Sequence, residues 1–108
     1  MNKFDELDIS IEKLVDMKSG DSFVVNGKWK CTILNDDINV NWKKDINSPA
    51  VVTEIYVNVE ENDKIFDGIV VVQSDMSLSR KYYAVLCIRR QTDQAWQRMF
   101  TVNSISFN

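Results

Sequence analysis

Residues 80–102 read RKYYAVLCIRRQTDQAWQRMFTV. Between Tyr82 and Ile88 both alternating faces of the run are apolar, which is typical of a strand that has neighbours and cover on each side. The polar stretch from Gln91 to Ala95 has the length of a hairpin loop, and aromatic and β-branched residues return after it. We therefore expect the sheet of this protein to be built around a hairpin at this position.

One helical pattern precedes the sheet. Side chains recur with the period of an amphipathic helix at Phe4, Leu7, Ile11, Leu14, Val15 and Lys18. This spacing predicts a helix over about residues 4–18. Ser10 is a candidate N-cap that would restrict the firm part of the helix to Ile11–Lys18. Gly20 is a candidate stop, because a left-handed backbone costs glycine little.

After the helix the apolar period changes to two. Strand patterns cover residues 22–25, 28–34, 38–42 and 51–59, and Asn26-Gly27 is a strong hairpin signal between the first two. Asp67-Gly68 is a second turn signal, placed just before the apolar run at residues 69–72. In the C-terminal residues the apolar side chains change from one set of alternating positions to the other. This change predicts a bulge or bend near Asn103.

These strands follow one another without crossover helices, which favours antiparallel pairing. We predict an α+β fold: one N-terminal helix followed by a six- to seven-stranded antiparallel meander over about residues 22–107. The sheet is expected to curl into a small barrel or sandwich. The 108 residues are expected to form a single domain, 1–108.

Charge and cysteine content indicate where in the cell the protein is located. The net charge is −3, and the N-terminal residues form no apolar leader. No stretch approaches the ~20 apolar residues of a membrane span. Cys31 and Cys87 lie inside apolar strand patterns, which predicts buried free thiols in a reducing compartment. We expect a cytoplasmic protein that does not contact membranes.

The composition disfavours catalysis. The chain has no histidine, which removes the commonest general base and zinc ligand, and its three glycines are too scattered for a phosphate-binding loop. Residues 35–39 begin like a calcium loop, but Val40 and Ile46 stand where the glycine and the bidentate glutamate are needed. We predict no catalytic residue, no metal site and no cofactor. The chain is expected not to be an enzyme.

Two groups of residues are candidate binding sites. The acids Glu60, Glu61, Asp63 and Asp67 cluster in a turn that we expect to be solvated and mobile, where they would meet a protein partner with a basic surface. The preferred function is a small acidic protein-binding module of inhibitor or adaptor type. Immunity proteins and phage-encoded inhibitors of host proteins are examples of that type.

The alternative is a nucleic-acid or nucleotide-binding small barrel. Its residues would be Arg89, Arg90, Trp96 and Arg98, because arginines neutralise phosphates and aromatic rings stack on unpaired bases. The net negative charge disfavours this function. Two further interpretations stay open: these arginines form ion pairs with the acidic middle segment, or the chain is a structural subunit of a larger assembly.

The run Lys81-Tyr82-Tyr83-Ala84-Val85-Leu86, followed by Arg98-Met99-Phe100, resembles the last hairpin of the WYL ligand-sensing domains, which are small Sm-like barrels. The tryptophan position of that family holds Tyr82, and Ser104 replaces the arginine expected before its closing isoleucine. The resemblance covers only the C-terminal part of the chain, and no site residue is carried over from it.

Overall fold

The computed structural model describes residues 3–34, 51–74 and 82–107. Within these residues one helix, α1 (Lys3–Val15), precedes seven strands. They are β1 (Ser22–Val25), β2 (Trp29–Ile33), β3 (Val51–Glu61), β4 (Lys64–Ser74), β5 (Tyr82–Arg89), β6 (Arg98–Thr101) and β7 (Ile105–Phe107). The predicted α+β class, one helix with a curled antiparallel sheet, is confirmed.

The C-terminal residues join the two edges of the sheet. The strands lie in the order β6-β5-β4-β3-β2-β1-β7, and each neighbouring pair is antiparallel. Only three residues separate Thr101 in β6 from Ile105 in β7. Such a connection spans roughly 14 Å at most, so the two edges lie close together and the sheet curls. β6 and β7 are two halves of one bent strand, and the bend predicted near Asn103 is confirmed.

Asn26 holds this bend in place. Asn26 and Gly27 form the predicted hairpin turn between β1 and β2, with φ angles of 54° and 66°. The Oδ1 atom of Asn26 accepts hydrogen bonds from the backbone N–H groups of Asn103 and Ser104, at 2.7 and 3.1 Å. Its Nδ2 donates to the Thr101 carbonyl at 2.9 Å, and its backbone N–H donates to the Ser104 carbonyl at 2.9 Å. One turn residue therefore satisfies four backbone groups at the bend.

The inner face of the sheet packs against α1. Leu7, Ile11 and Leu14 keep the predicted helical spacing and belong to the same core as alternating side chains of the strands. These strand and bend residues are Phe23, Val25, Trp29, Cys31, Ile33, Ile55, Val57, Val59, Val70, Val72, Ala84, Leu86, Ile88, Val102 and Ile105. We call the opposite side of the sheet the outer face.

The helix differs from its predicted boundaries. It begins at Lys3, so Ser10 lies inside it and the predicted N-cap is wrong. It ends at Val15 rather than Lys18, because residues 18–21 form a turn of their own. In that turn the Asp21 carboxylate accepts a hydrogen bond from the Lys18 N–H at 2.9 Å. Gly20 adopts a φ of 89° in this turn, where its N–H already donates to the Ile33 carbonyl.

The β3–β4 hairpin turns within residues 60–64, where the cluster of acids predicts a turn. Asn62 and Asp63 form the turn, with φ angles of 52° and 62°. Asp67-Gly68, predicted to be a turn, lies inside β4, where Gly68 pairs with Val57. A Cβ atom at Gly68 would lie 2.5 Å from Cγ2 of Val59 and 2.9 Å from Cγ2 of Val57. The glycine is needed for close packing between strands, not for a turn. The predicted strand at 38–42 and the calcium-like residues 35–39 lie outside the described residues.

Candidate functional site

The two predicted binding sites meet at one end of the sheet. The acids lie in or beside the β3–β4 turn and the arginines lie in or beside the β5–β6 loop, and several of these side chains form ion pairs. An Arg98 NH1–Glu61 Oε1 pair is 3.0 Å long, an Arg89 Nε–Asp67 Oδ2 pair 3.7 Å, and a Lys30 Nζ–Glu60 Oε2 pair 3.8 Å. Three of the four acids expected to meet a partner thus face cations of their own chain. Asp63 is exposed at the tip of the turn.

Glu61 is the centre of a polar cluster on the inner face. The Glu61 cluster consists of Glu61, Trp29, Arg98, Phe66 and Phe100. The indole N–H of Trp29 donates to Glu61 Oε2 at 2.7 Å, and Arg98 NH1 donates to both carboxylate oxygens at 3.0 and 3.2 Å. The Trp29 and Phe100 rings lie 4.2 Å apart, and the Arg98 guanidinium lies over the Phe66 ring at 5.2 Å.

This environment keeps Glu61 ionised. The hydrogen bond from Trp29 and then that from Arg98 lower the pKa of Glu61, against the opposing effect of burial. The Glu61 side chain is only 16% exposed. The expected solvated and mobile environment is therefore wrong for Glu61. A carboxylate that is held by two donors and buried to this degree stabilises the sheet end.

Arg89 lies on the outer side of the same end. Its guanidinium stacks on the Trp96 ring at 4.3 Å, and NH1 donates to the Gln94 carbonyl at 2.7 Å. Within the described residues its buried Nε has no hydrogen-bond partner, because the Asp67 carboxylate is 3.7 Å away. Arg90, whose side chain is 72% exposed, pairs with Asp93 within the loop.

An open pocket separates the Glu61 cluster from the β5–β6 loop. Its volume is about 340 Å³, and its walls are formed by Glu61, Phe66, Arg89, Arg90, Gln97 and Arg98. Three of the four residues proposed for nucleic-acid binding thus share one pocket, and the fourth, Trp96, stacks on Arg89. Three arginines and one glutamate give this lining a formal charge of +2.

A second candidate surface lies on the outer face and was not predicted. Tyr56 pairs with Ile69, Ile69 with Cys87, and Cys87 with Met99 across β3, β4, β5 and β6. We call these four residues the outer row. Tyr56 is 45% exposed and Met99 69% exposed at its two ends, whereas Ile69 and Cys87 are buried between them. None of the four belongs to the core that packs on α1.

The next row on the outer face is mixed in character. Glu54, Val71, Val85 and Thr101 are paired across the same four strands. Glu54 is exposed, and no ion pair to it is found in residues 3–34, 51–74 and 82–107. The apolar side chains of the outer row therefore lie beside Glu54, which forms no ion pair within the described part of the chain.

The outer face could be recognised only after the strand register was known. The apolar character of both faces of Tyr82–Ile88 was visible in the sequence, but which residues it would meet was not. Tyr56 and Met99 stand 43 positions apart in the sequence, and three pairings in the correct register bring them into one row.

Metal-binding clusters and the two cysteine thiols are the reactive groups considered for the described residues. They contain no group of three or more histidine, cysteine or acidic residues that could hold a metal ion. Cys31 and Cys87 are free and buried, as predicted. Burial raises the pKa of Cys31 to about 12, and burial also raises the pKa of Cys87. Both side chains are therefore thiols rather than reactive thiolates at neutral pH.

Comparison with known proteins finds no matching family model, no similar curated protein and no similar solved structure. The resemblance of the last hairpin to WYL domains therefore depends on its short sequence run alone. In the described part of the chain, no helix combines the length and the apolar character that crossing a membrane requires.

Proposed function

We propose that this chain is a non-enzymatic protein-binding module of inhibitor or adaptor type, and that it binds its partner through the outer face of β3–β6. The observation that supports this most directly is the outer row, which exposes tyrosine and methionine side chains at its two ends on a four-stranded surface. Tyrosine and methionine are enriched at the centres of protein interfaces. Exposed apolar patches with polar borders commonly mark interaction surfaces.

The border of this face indicates the chemistry of the partner. Glu54 lies beside Tyr56 with no described cation near it, so a partner lysine or arginine would gain a charge-assisted contact there. The net charge of −3 would also steer a basic partner toward the chain, and salt would weaken that steering. The proposed partner is a protein whose contact surface is apolar at its centre and basic at its border.

The acids first considered as contacts have a different role in this proposal. Glu61 and Asp67 are engaged by Arg98 and Arg89, so a partner would have to break existing ion pairs to reach them. They contribute to the overall charge, while Tyr56 and Met99 supply direct contact area. The two free, buried cysteines fit a reducing compartment and support the proposal that the protein acts in the cytoplasm.

The test begins with capture of the partner from an extract of the organism that encodes the chain, followed by its purification. Its affinity is then measured by calorimetry for the wild type and for Met99→Lys, Tyr56→Lys and Ile9→Lys. Ile9 is the matched control, because it is 58% exposed but lies on α1. We expect Met99→Lys and Tyr56→Lys each to weaken binding at least about tenfold, since burying an unpaired charge at an interface centre is costly.

Ile9→Lys is expected to leave the affinity unchanged. Glu54→Lys is expected to weaken binding less than Met99→Lys and to reduce its dependence on salt. If all these variants bind the purified partner as tightly as the wild type, the outer face is not the contact surface and the proposal fails. An equal loss in Ile9→Lys and Met99→Lys would also overturn it.

A further inference from the structure

The pocket at the end of the sheet is a second candidate site, and it does not depend on the outer-face proposal. Its volume of about 340 Å³ falls in the range of about 300–1,000 Å³ that small-molecule sites occupy. It opens between the β3–β4 turn and the β5–β6 loop, so its lining comes from two hairpins that are distant in sequence. What it can bind depends on how many N–H donors of its three guanidinium groups are already used within the chain.

Each arginine of the pocket is anchored by one neighbour and keeps further donors. Arg98 uses NH1 on Glu61, and Arg90 uses Nε on Asp93. Arg89 uses NH1 on a neutral carbonyl and stacks on Trp96. A guanidinium has five N–H donors, so each of these side chains is held in position without using its full capacity.

Arg89 has the longest ion pair of the three. The carboxylate nearest to its Nε is 3.7 Å away, beyond hydrogen-bond distance, and this Nε is buried. This Nε is shielded from solvent, so the donors that Arg89 can offer to a ligand are its terminal N–H groups. Each of the three arginines is paired with one carboxylate of the chain: Arg89 with Asp67, Arg90 with Asp93, and Arg98 with Glu61.

We propose that this pocket binds a phosphate monoester, carried either by a sugar phosphate or by the 5′ end of a nucleotide chain. The lining itself has a formal charge of +2, and Asp67 and Asp93 lie beside it as the ion-pair partners of Arg89 and Arg90. A phosphate monoester carries about −1.5 to −2 near neutral pH, whereas a diester carries only one negative charge. Three terminal oxygens can accept from several guanidinium groups at once, which a carboxylate with two oxygens does less well.

The net charge of −3 does not oppose a small ligand as it opposes a long polyanion. A short anion interacts mainly with the groups within a Debye length of about 8–10 Å, and here those include three arginines and the carboxylates of Glu61, Asp67 and Asp93 that pair with them. A long nucleic acid would also meet the acidic remainder of the surface. The site thus fits one terminal phosphate better than a continuous phosphate backbone.

The test titrates ¹⁵N-labelled protein with four probes at millimolar concentration and follows the arginine Nε–H resonances. The probes are ribose 5-phosphate, ribose, and a thymidine tetranucleotide with and without a 5′-phosphate. Arg90→Gln is the key variant, because this exposed side chain can be changed without disturbing the core. Lys30→Gln is the control, since it makes the same change of charge outside the pocket lining.

We expect ribose 5-phosphate to shift the resonances of Arg89, Arg90 and Arg98, and ribose to leave them unchanged. Arg90→Gln should weaken phosphate binding about tenfold or more, and Lys30→Gln less than about twofold. If the 5′-phosphorylated tetranucleotide binds more tightly than ribose 5-phosphate, the natural source is a nucleotide chain; the reverse order assigns a sugar phosphate. Both orders support the site.

Three results would overturn the proposal. The first is the absence of any shift with either phosphorylated probe. The second is equal binding of the tetranucleotide with and without its 5′-phosphate, which would mean general attraction of a polyanion. The third is an equal loss in Arg90→Gln and Lys30→Gln. The outer-face variant Met99→Lys should bind phosphate like the wild type, so this test and the test of partner binding fail independently.

Discussion

The Glu61 cluster and the outer row share strands β3, β4 and β6 but lie on opposite faces of the sheet. In the Glu61 cluster a carboxylate and a guanidinium bond to each other and to an indole N–H, at 2.7 to 3.2 Å. In the outer row the apolar side chains of Tyr56 and Met99 are exposed. In this comparison the charged side chains are already engaged within the chain, whereas the exposed side chains are Tyr56 and Met99.

This contrast shows why charge alone is a poor guide to a binding site. A charged side chain near a turn can be neutralised by a residue that lies far away in sequence, as Arg98 neutralises Glu61 from 37 positions away. An exposed methionine on a strand has no such hidden partner. Three of the following four predictions compare a residue of the inner face with one of the outer face, and the other follows Glu61 of the inner face in acid.

The largest difference is expected between two neighbours on β6. Phe100 faces inward against Trp29, and Met99 faces outward. Phe100→Ala should lower the free energy of unfolding by about 2–3 kcal/mol, through lost burial and lost ring contact. Met99→Ala should change it by less than about 0.5 kcal/mol. Urea denaturation measures both, and similar losses would contradict the assignment of the two faces.

A somewhat smaller effect is expected for the two acids of the ion pairs. Glu61→Ala removes the acceptor of both Trp29 and Arg98 and should cost about 2 kcal/mol of unfolding free energy. Asp67→Ala breaks a longer and more exposed pair and should cost at most about 1 kcal/mol. The same urea experiment compares them. A larger loss in Asp67→Ala would show that the Glu61 cluster is not the main polar support of this end.

The Glu61 interactions should also disappear in acid. Folding lowers the pKa of Glu61 below its ordinary value of 4.5, so the folded state binds fewer protons than the unfolded state in that range. The stabilisation is complete above pH 4.5 and is lost as the pH falls through the lower pKa of the folded protein. Glu61→Gln cannot titrate. The difference in stability between the wild type and Glu61→Gln should therefore shrink below pH 4.5.

The smallest difference is expected between the labelling rates of the two cysteines. Cys31 is completely buried on the inner face, whereas Cys87, on the outer face, retains 8% exposure. Iodoacetamide at neutral pH should label Cys87 several times faster than Cys31 in the native state, because labelling of Cys31 requires opening of the core. Mass spectrometry of Cys31→Ala and Cys87→Ala measures each thiol separately. Equal rates would place both thiols in similar surroundings.

Much of the fold could be predicted because its signals are local. The Asn26-Gly27 turn requires positive φ at both positions, and the structure has it. The change in the alternation of apolar side chains near Asn103 is an equally local signal, and the chain bends there. The error at Asp67-Gly68 has a non-local cause. That glycine accommodates Val57 and Val59 of the neighbouring strand, which no window around it could reveal.

The candidate site was predictable only in part, for the same reason. Arg89, Arg90 and Arg98 were identified by residue type, and the pocket does bring them together. Their pairing with Glu61 and Asp67 was one of several interpretations left open by the sequence. Strand register decided among them, and a shift by one residue would have placed these side chains on the other face.

The bend at Asn103 also affects whether the edges of the sheet can pair with other copies of the protein. Exposed sheet edges can pair with a neighbouring molecule, and long flat edges are the most liable to aggregate. Here the edge strands β6 and β7 contain four and three residues and belong to one bent segment. The side chain of Asn26 donates a hydrogen bond to the carbonyl of Thr101 and accepts hydrogen bonds from the N–H groups of Asn103 and Ser104 at the bend. A single asparagine thus removes hydrogen-bonding groups that an incoming strand would need.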